Sequence, residues 1–276
     1  MGFTPACSTP LRPGRWMKSA SSLGWRGLEV GYPPCGLAKF PDLSLAPGRV
    51  YALLGRNGAG KSTFLRTLCG LIPPVAGEVQ VHDAPLAAMP EAERAAHLAY
   101  IPQSAERPAD YRVRDVVALG GWRHGSLLQP AIDEAERCEA AMQSLGVAHL
   151  ADRAVTQISG GEWQRVQWAR AHMQDARWIV LDEPTAHLDF PAQQELARHI
   201  RHWQQEGRGV VLATHDPDWA GMLGAEIWLM ADREVAVFAS MAEAANSPVL
   251  EKCLGVRLEP LTDASGHTRW VPARSG

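Results

Sequence analysis

Short apolar runs, broken by glycine, proline and acidic residues, recur along the chain, and their spacing sets the elements to expect. Runs at 27–30, 43–45, 50–54, 78–82, 98–101, 178–181 and 210–214 have strand length. Two more, 227–230 and 235–238, flank Asp232-Arg233 and predict a hairpin. Between these runs the apolar period lengthens. Phe64, Leu65 and Leu68 share one helical face, 90–97 and 114–119 read as short helices, and Ile132, Ala135, Cys138, Met142 and Leu145 line a longer one. Val166, Ala169 and Met173 predict a helix ending near 174. Leu196, Ile200 and Trp203 predict another, opening at Asp189 and Pro191 and closing at Gly207. Strands interleaved with helices predict an α/β fold.

The run 50–54 leads directly into Gly55-Arg56-Asn57-Gly58-Ala59-Gly60-Lys61-Ser62-Thr63. A buried strand, a glycine-rich turn and a helix in that order form a phosphate site. The glycines let the backbone turn and aim its N–H groups at an anion, and the helix N-terminus adds its positive dipole end. Lys61 then reaches the β- and γ-phosphates, and the Ser62 hydroxyl is placed to coordinate Mg²⁺. Other polar residues fall at strand ends: Asp182 and Glu183 after 178–181, and His215 after 210–214. In open α/β sheets ligands gather at the carboxyl ends of strands, so these groups are expected to meet the phosphate loop. Three signals stay open on the residues alone. Tyr32 either stacks on an adenine ring or is an edge aromatic, and Gln103 is a lone glutamine after a strand. Ser159-Gly160-Gly161-Glu162 is either a second anion-binding turn or a simply capped helix start.

Composition narrows the class. The chain has 276 residues, 46% hydrophobic and 21% charged, enough for one large core or two modest ones. A net charge of −3 gives no pull toward nucleic acid or anionic lipid. Five cysteines, odd in number and without a CxxC pair, argue against a zinc site or a disulfide framework. No uncharged apolar run reaches the ~18–20 residues needed to span a bilayer, so any membrane role requires a separate chain. Residues 1–24, rich in proline, glycine, serine and basic groups without an apolar signal segment, are expected to form a flexible tail. The stretch 105–156 changes character and reads as an inserted helical subdomain, and 241–276 as a C-terminal appendage.

In order, Tyr32, the 55–63 loop, Gln103, ISGGE at 158–162, WIVLDEP at 178–184, Asp189 and His215 resemble the ATP-binding subunit of an ABC transporter, over about residues 25–240. The resemblance implies a P-loop NTPase core with an N-terminal antiparallel β-subdomain and an inserted α-helical subdomain at about 105–175. It assigns Tyr32 to the adenine, the 55–63 loop to the phosphates, and Gln103 to Mg²⁺ and the attacking water. Asp182 would hold Mg²⁺ indirectly, Glu183 would be the general base, and His215 the γ-phosphate switch. Ser159, Gly160 and Gly161 would contact the γ-phosphate bound by a partner copy, and Asp189 would belong to the loop that crosses the dimer. The implied active state is a homodimer around two ATP·Mg²⁺, docked on integral-membrane permease subunits at the cytoplasmic face of the inner membrane and served indirectly by a periplasmic substrate-binding protein. Ile158, Glu162 and His187 depart from the commonest family residues, but none removes a catalytic group.

Three details resemble importers of iron–siderophore complexes, haem or vitamin B12: residues 113–120, SGGEWQRV at 159–166, and the ending Leu254-Gly255-Val256-Arg257 followed by Gly266-His267. Glu162-Trp163-Gln164 is especially similar to the B12 subunits. The alternative cargo is another small nutrient. A soluble ABC ATPase acting on DNA or ribosomes usually has long coiled-coil insertions or two cassettes, and an exporter often has fused membrane helices; the sequence shows none of these.

Overall fold

The computed structural model describes residues 22–124, 132–186, 188–263 and 268–273. Most of the expected tail, His187, Gly266 and His267 lie outside the described residues. In chain order the strands are β1 (Leu23–Tyr32), β2 (Cys35–Lys39), β3 (Leu43–Leu45), β4 (Val50–Leu54), β5 (Ala76–Val81), β6 (Ala84–Pro85), β7 (Leu98–Ile101), β8 (Trp178–Asp182), β9 (Gly209–Thr214), β10 (Glu226–Ala231), β11 (Glu234–Phe238), β12 (Leu258–Thr262) and β13 (Thr268–Pro272). The α-helices are α1 (Lys61–Leu68), α2 (Glu91–His97), α3 (Val113–Ala118), α4 (Ile132–Ser144), α5 (Gly160–Gln174), α6 (Phe190–Gln205), α7 (Pro217–Met222), α8 (Met241–Ala245) and α9 (Pro248–Leu254).

The apolar runs without alternation become the centre of one large sheet. Strands β4, β8 and β9 are buried along their whole length, as expected of strands covered on both faces. They lie in the parallel order β10-β4-β9-β8-β7. Register brings their carboxyl ends to one edge: Leu54 pairs with Thr214, Ala213 with Asp182, and Leu181 with Ile101. The expected antiparallel N-terminal layer is present and continues the same sheet. In it β1 pairs with β2, β3 and β5, and the single pair Glu234↔Lys39 joins it to β11.

Two expectations change. The first strand covers 23–32 rather than 27–30, so two residues assigned to the tail, Leu23 and Gly24, belong to the sheet. Gly27 at φ +55 and a register break between Arg26 and Glu29 hide the alternation on which a strand reading relies. The stretch from 241 is also more than an appendage. Met241, Ala244, Leu250 and Cys253 are buried in the same core cluster as β4 and β10, and the Cys253 thiol donates to the Leu54 carbonyl at 3.3 Å. Helices of five and seven residues are too short to display a 3.6 period, so the sequence concealed them.

The inserted subdomain holds α3 and α4 against α5. Val113, Val116, Cys138, Met142, Leu145 and Val166 are buried between them. Behind α5, Trp203 Nε1 donates to His172 Nδ1 at 3.4 Å, an arrangement that needs a neutral ring at that nitrogen. Burial, and then the positive Arg208 nearby, hold the His172 pKa below its ordinary value, although Glu206 and Asp175 pull the other way. The unfolded chain takes up its proton near the ordinary histidine pKa, about 6.5. The stability linked to His172 is therefore full above that pH and is lost as the pH falls below it. His172→Asn, which keeps an acceptor at the same place, should narrow the drop in Tm between about pH 7.5 and about pH 5.5 in calorimetry. An unchanged drop would remove His172 from the account.

Candidate functional site

The glycine-rich loop leaves β4 and enters α1 through Gly60, whose φ of +107 and position as N-cap exclude a side chain without strain. Gly58, at φ +80, makes the other left-handed step. Arg56, Asn57 and Gly58 are exposed, whereas Lys61 is 6% exposed. Its ammonium donates to the carbonyls of Gly55 at 2.8 Å and Arg56 at 3.3 Å, and lies 3.0 Å from Glu183 Oε1. That last contact is an ion pair by distance without the alignment of a hydrogen bond, since Oε1 has no hydrogen-bonded partner.

The end of β8 supplies the opposing charges. Ser62 Oγ donates to Asp182 Oδ1 at 3.0 Å, and the Tyr100 hydroxyl donates to Asp182 Oδ2 at 3.1 Å. Glu183 is buried at φ +46, an unusual region for a residue with a Cβ, and its N–H donates to the Ala213 carbonyl on β9. Its Oε2 lies 2.8 Å from His215 Nδ1, so one carboxylate bridges the buried lysine and the exposed imidazole. Two residues missed at the sequence level complete this side. Tyr100 stays protonated because burial, and then the charge of Asp182, raise its pKa. Arg66, on α1, interacts with Tyr100 and then with Tyr32, and the hydrogen bond to Tyr100 leads in raising its pKa. Alternation on β7 could have flagged Tyr100, but nothing in the spacing announced Arg66.

Thus the fold brings together the 55–63 loop, Asp182, Glu183 and His215. Among the described residues, no hydrogen bond or ion pair joins the other expected residues to them. Tyr32 and Gln103 are exposed, Gln103 two residues past the end of β7 at the Ile101↔Leu181 pair. Asp189 caps α6 by accepting from the Ala192 N–H at 3.0 Å. Ser159 caps α5 in a reciprocal box with Glu162. Gly160 and Gly161 are exposed, and a Cβ on Gly161 would meet nothing within 4 Å. This turn is tied to the loop after Gln103: Arg107 donates to the Ile158 carbonyl at 2.6 Å, and Trp163 Nε1 to the Ala105 carbonyl at 3.1 Å. Gln164 Nε2 donates to the Pro184 carbonyl at 2.8 Å, joining α5 to the segment that follows Glu183.

Residues 39–186 match the family model described as ABC transporter. An uncharacterized ABC transporter ATP-binding protein of Haemophilus influenzae is 37% identical over 206 residues, 74% of this chain and 78% of that protein. The hemin import ATP-binding protein HmuV of Burkholderia thailandensis is 38% identical over 248 residues, 81% of this chain and 89% of its own. Among solved structures, an inward-facing metal-chelate type ABC transporter is similar with a TM-score of 0.79 and 25% identity, covering 92% of this chain and 98% of that one. An ATP-binding cassette of an ABC transporter in its ADP conformation shares the fold, with a TM-score of 0.74 and 19% identity over 85% of this chain and 99% of that one.

Asp182 yields a stability prediction. Burial raises its pKa above the ordinary carboxylate value, more than the hydrogen bonds from Ser62 and Tyr100 lower it. The ionised carboxylate therefore opposes folding at neutral pH, and the penalty fades as the pH falls through its folded pKa. Asp182→Asn should raise the Tm of the ligand-free protein at neutral pH by about a few degrees. A lower Tm would show that the two hydrogen bonds outweigh burial.

Proposed function

The chain belongs to the ABC transporter family as one of its ATP-binding subunits, an ATPase coupled to transport, and from that premise we propose that it drives an importer of haem or a related metal chelate. The observation that carries the chemistry is the junction of β8 with the phosphate loop, where Asp182 meets Ser62 and Glu183 meets Lys61. The residues suit a nucleotide triphosphate. Two left-handed glycines open the loop, and Lys61 is held at its mouth by weakly competing carbonyls and one carboxylate. No group of three or more His, Cys, Asp or Glu side chains suited to a metal exists among the described residues. A cation would be held by Ser62 and Asp182, already hydrogen-bonded to each other, together with the phosphates, the usual habit of Mg²⁺. When bound, Mg²⁺ neutralises charge developing on the transferred phosphoryl group.

In this reading Lys61 exchanges Glu183 for phosphate oxygens. Glu183, released but still hydrogen-bonded to His215, takes the proton of the attacking water, and His215 follows the γ-phosphate. Gln103, exposed just past the end of β7, positions that water, and Tyr32 stacks on the base. The exposed turn Ser159-Gly160-Gly161 is the part that needs a second copy. Glycine costs about 0.5–1 kcal/mol relative to alanine inside a helix. Neither Gly160 nor Gly161 has a positive φ, and among the described residues nothing beyond its own helix lies within 4 Å of an added Cβ on Gly161. We attribute their presence to a surface that approaches from outside, the nucleotide on a facing copy, with Asp189 in the loop between the two copies. No helix among the described residues is long and apolar enough to cross a membrane. The proposed assembly is a homodimer on separate permease subunits at the cytoplasmic face of the inner membrane, supplied by a periplasmic binding protein. The similarity to hemin import proteins and to a metal-chelate type transporter supports haem or another chelate as cargo, with siderophore complexes and vitamin B12 as members of the same chemical class.

Glu183→Gln should retain ATP binding and lower kcat by about 100-fold or more, the range for losing a general base. Near-normal steady-state hydrolysis would sink the assignment. Gly161→Ala should leave the Tm unchanged or slightly higher, yet abolish ATP-dependent dimerisation of the Glu183→Gln protein on a sizing column. Dimers forming as before would refute the facing-copy reading.

A further inference from the structure

The loop that carries His215 is short on both sides. Thr214 Oγ1 accepts from the Asp216 N–H at 3.1 Å, and Asp216 caps α7 by accepting from the Trp219 N–H at 3.0 Å. His215 therefore sits one residue from a fixed strand end and one from a fixed helix start. Helix α7 is in turn gripped by the C-terminal hairpin β12–β13. Asp218 Oδ2 accepts from Arg269 Nε at 3.0 Å and Nη2 at 2.9 Å, and its Oδ1 accepts from the Trp270 N–H at 2.9 Å. The Trp270 indole lies so close to α7 that a Cβ on Gly221 would come within 3.0 Å of its Nε1. The same hairpin walls a cavity of about 550 Å³. Leu258, Trp270 and Pro272 form one side, and Arg56, Asn57 and His215 face them from the phosphate loop and the β9 end.

We propose that the β12–β13 hairpin positions His215 for hydrolysis, with Asp218, Arg269 and Trp270 as positioning residues that fix α7 over the phosphate loop. This rests on the reading of His215 as the residue that follows the γ-phosphate. Every contact in the grip is on α7 rather than on the nucleotide loop, so its loss acts on the catalytic step and leaves ATP binding in place. Arg269 is exposed, and an exposed ion pair by itself contributes little to stability. The grip is therefore suited to setting geometry rather than to holding the fold together.

The test is steady-state ATPase kinetics of the full chain, with Tm measured alongside. Asp218→Ala and Trp270→Ala should each lower kcat by about fivefold or more while KM for ATP stays within about twofold. Arg269→Asp should do the same. Wild-type kcat in the single variants, or a rise in KM for ATP as large as the fall in kcat, overturns the proposal. If Trp270→Ala lowers Tm, Arg269→Lys, which keeps charge but loses the fork, decides by the same split between kcat and KM. His215→Ala separates the two readings. Full activity in that variant fails the underlying role of His215 and the hairpin with it, whereas an inactive His215→Ala beside fully active hairpin variants fails the hairpin alone.

Discussion

A buried ammonium group must be paired, and the pairing of Lys61 organises the centre of this molecule. Removing an unpaired charge from water costs several kcal/mol even after relaxation. Lys61 meets that demand with two carbonyls of its own loop and with Glu183 from another strand. Glu183 can serve only because β4, β9 and β8 lie side by side in a register that brings their carboxyl ends level. It also adopts a left-handed backbone, anchored to the Ala213 carbonyl. In the proposed mechanism the resting pair is a placeholder for ligand charge, and strain at Glu183 is tolerated because its neighbours over-determine it.

Behind this junction the packing is aromatic. Trp25 from β1, Phe40 after β2, Phe64 on α1 and Trp228 on β10 meet edge to face or stacked, with Phe40 and Phe64 centroids 4.0 Å apart. These contacts fasten the antiparallel layer to the helix that follows the phosphate loop. The helix is thus packed on both sides of its start, whereas the loop before it carries the two left-handed glycines Gly58 and Gly60.

The remaining proposed groups are arranged differently. Tyr32, Gln103, Ser159 and Asp189 are exposed, and the last two spend their side chains on capping helices. What is fixed is their relation to one another. Arg107 and Trp163 tie the turn before α5 to the loop after β7, so displacement of one must move the other. One half of the site is thus buried and internally paired, and the other is an exposed surface.

The phosphate loop, the carboxylate pair after β8, His215 and the parallel core were legible in the sequence. They depend on contiguous residues, and strands buried on both faces appear as unbroken apolar runs. At Ser159 the sequence left a capped helix start and an anion-binding turn open, and the structure shows the cap. Tertiary structure alone decided what these groups do to one another: that Glu183 occupies Lys61, that Tyr100 and Arg66 back Asp182, and that Arg107 closes on Ile158. It also decided that residues 241–258 belong to the body of the protein. Those facts rest on partners up to about two hundred positions apart, such as Cys253 and Leu54. Local periodicity cannot encode such contacts, because they arise from sheet order and register rather than from neighbours in the chain.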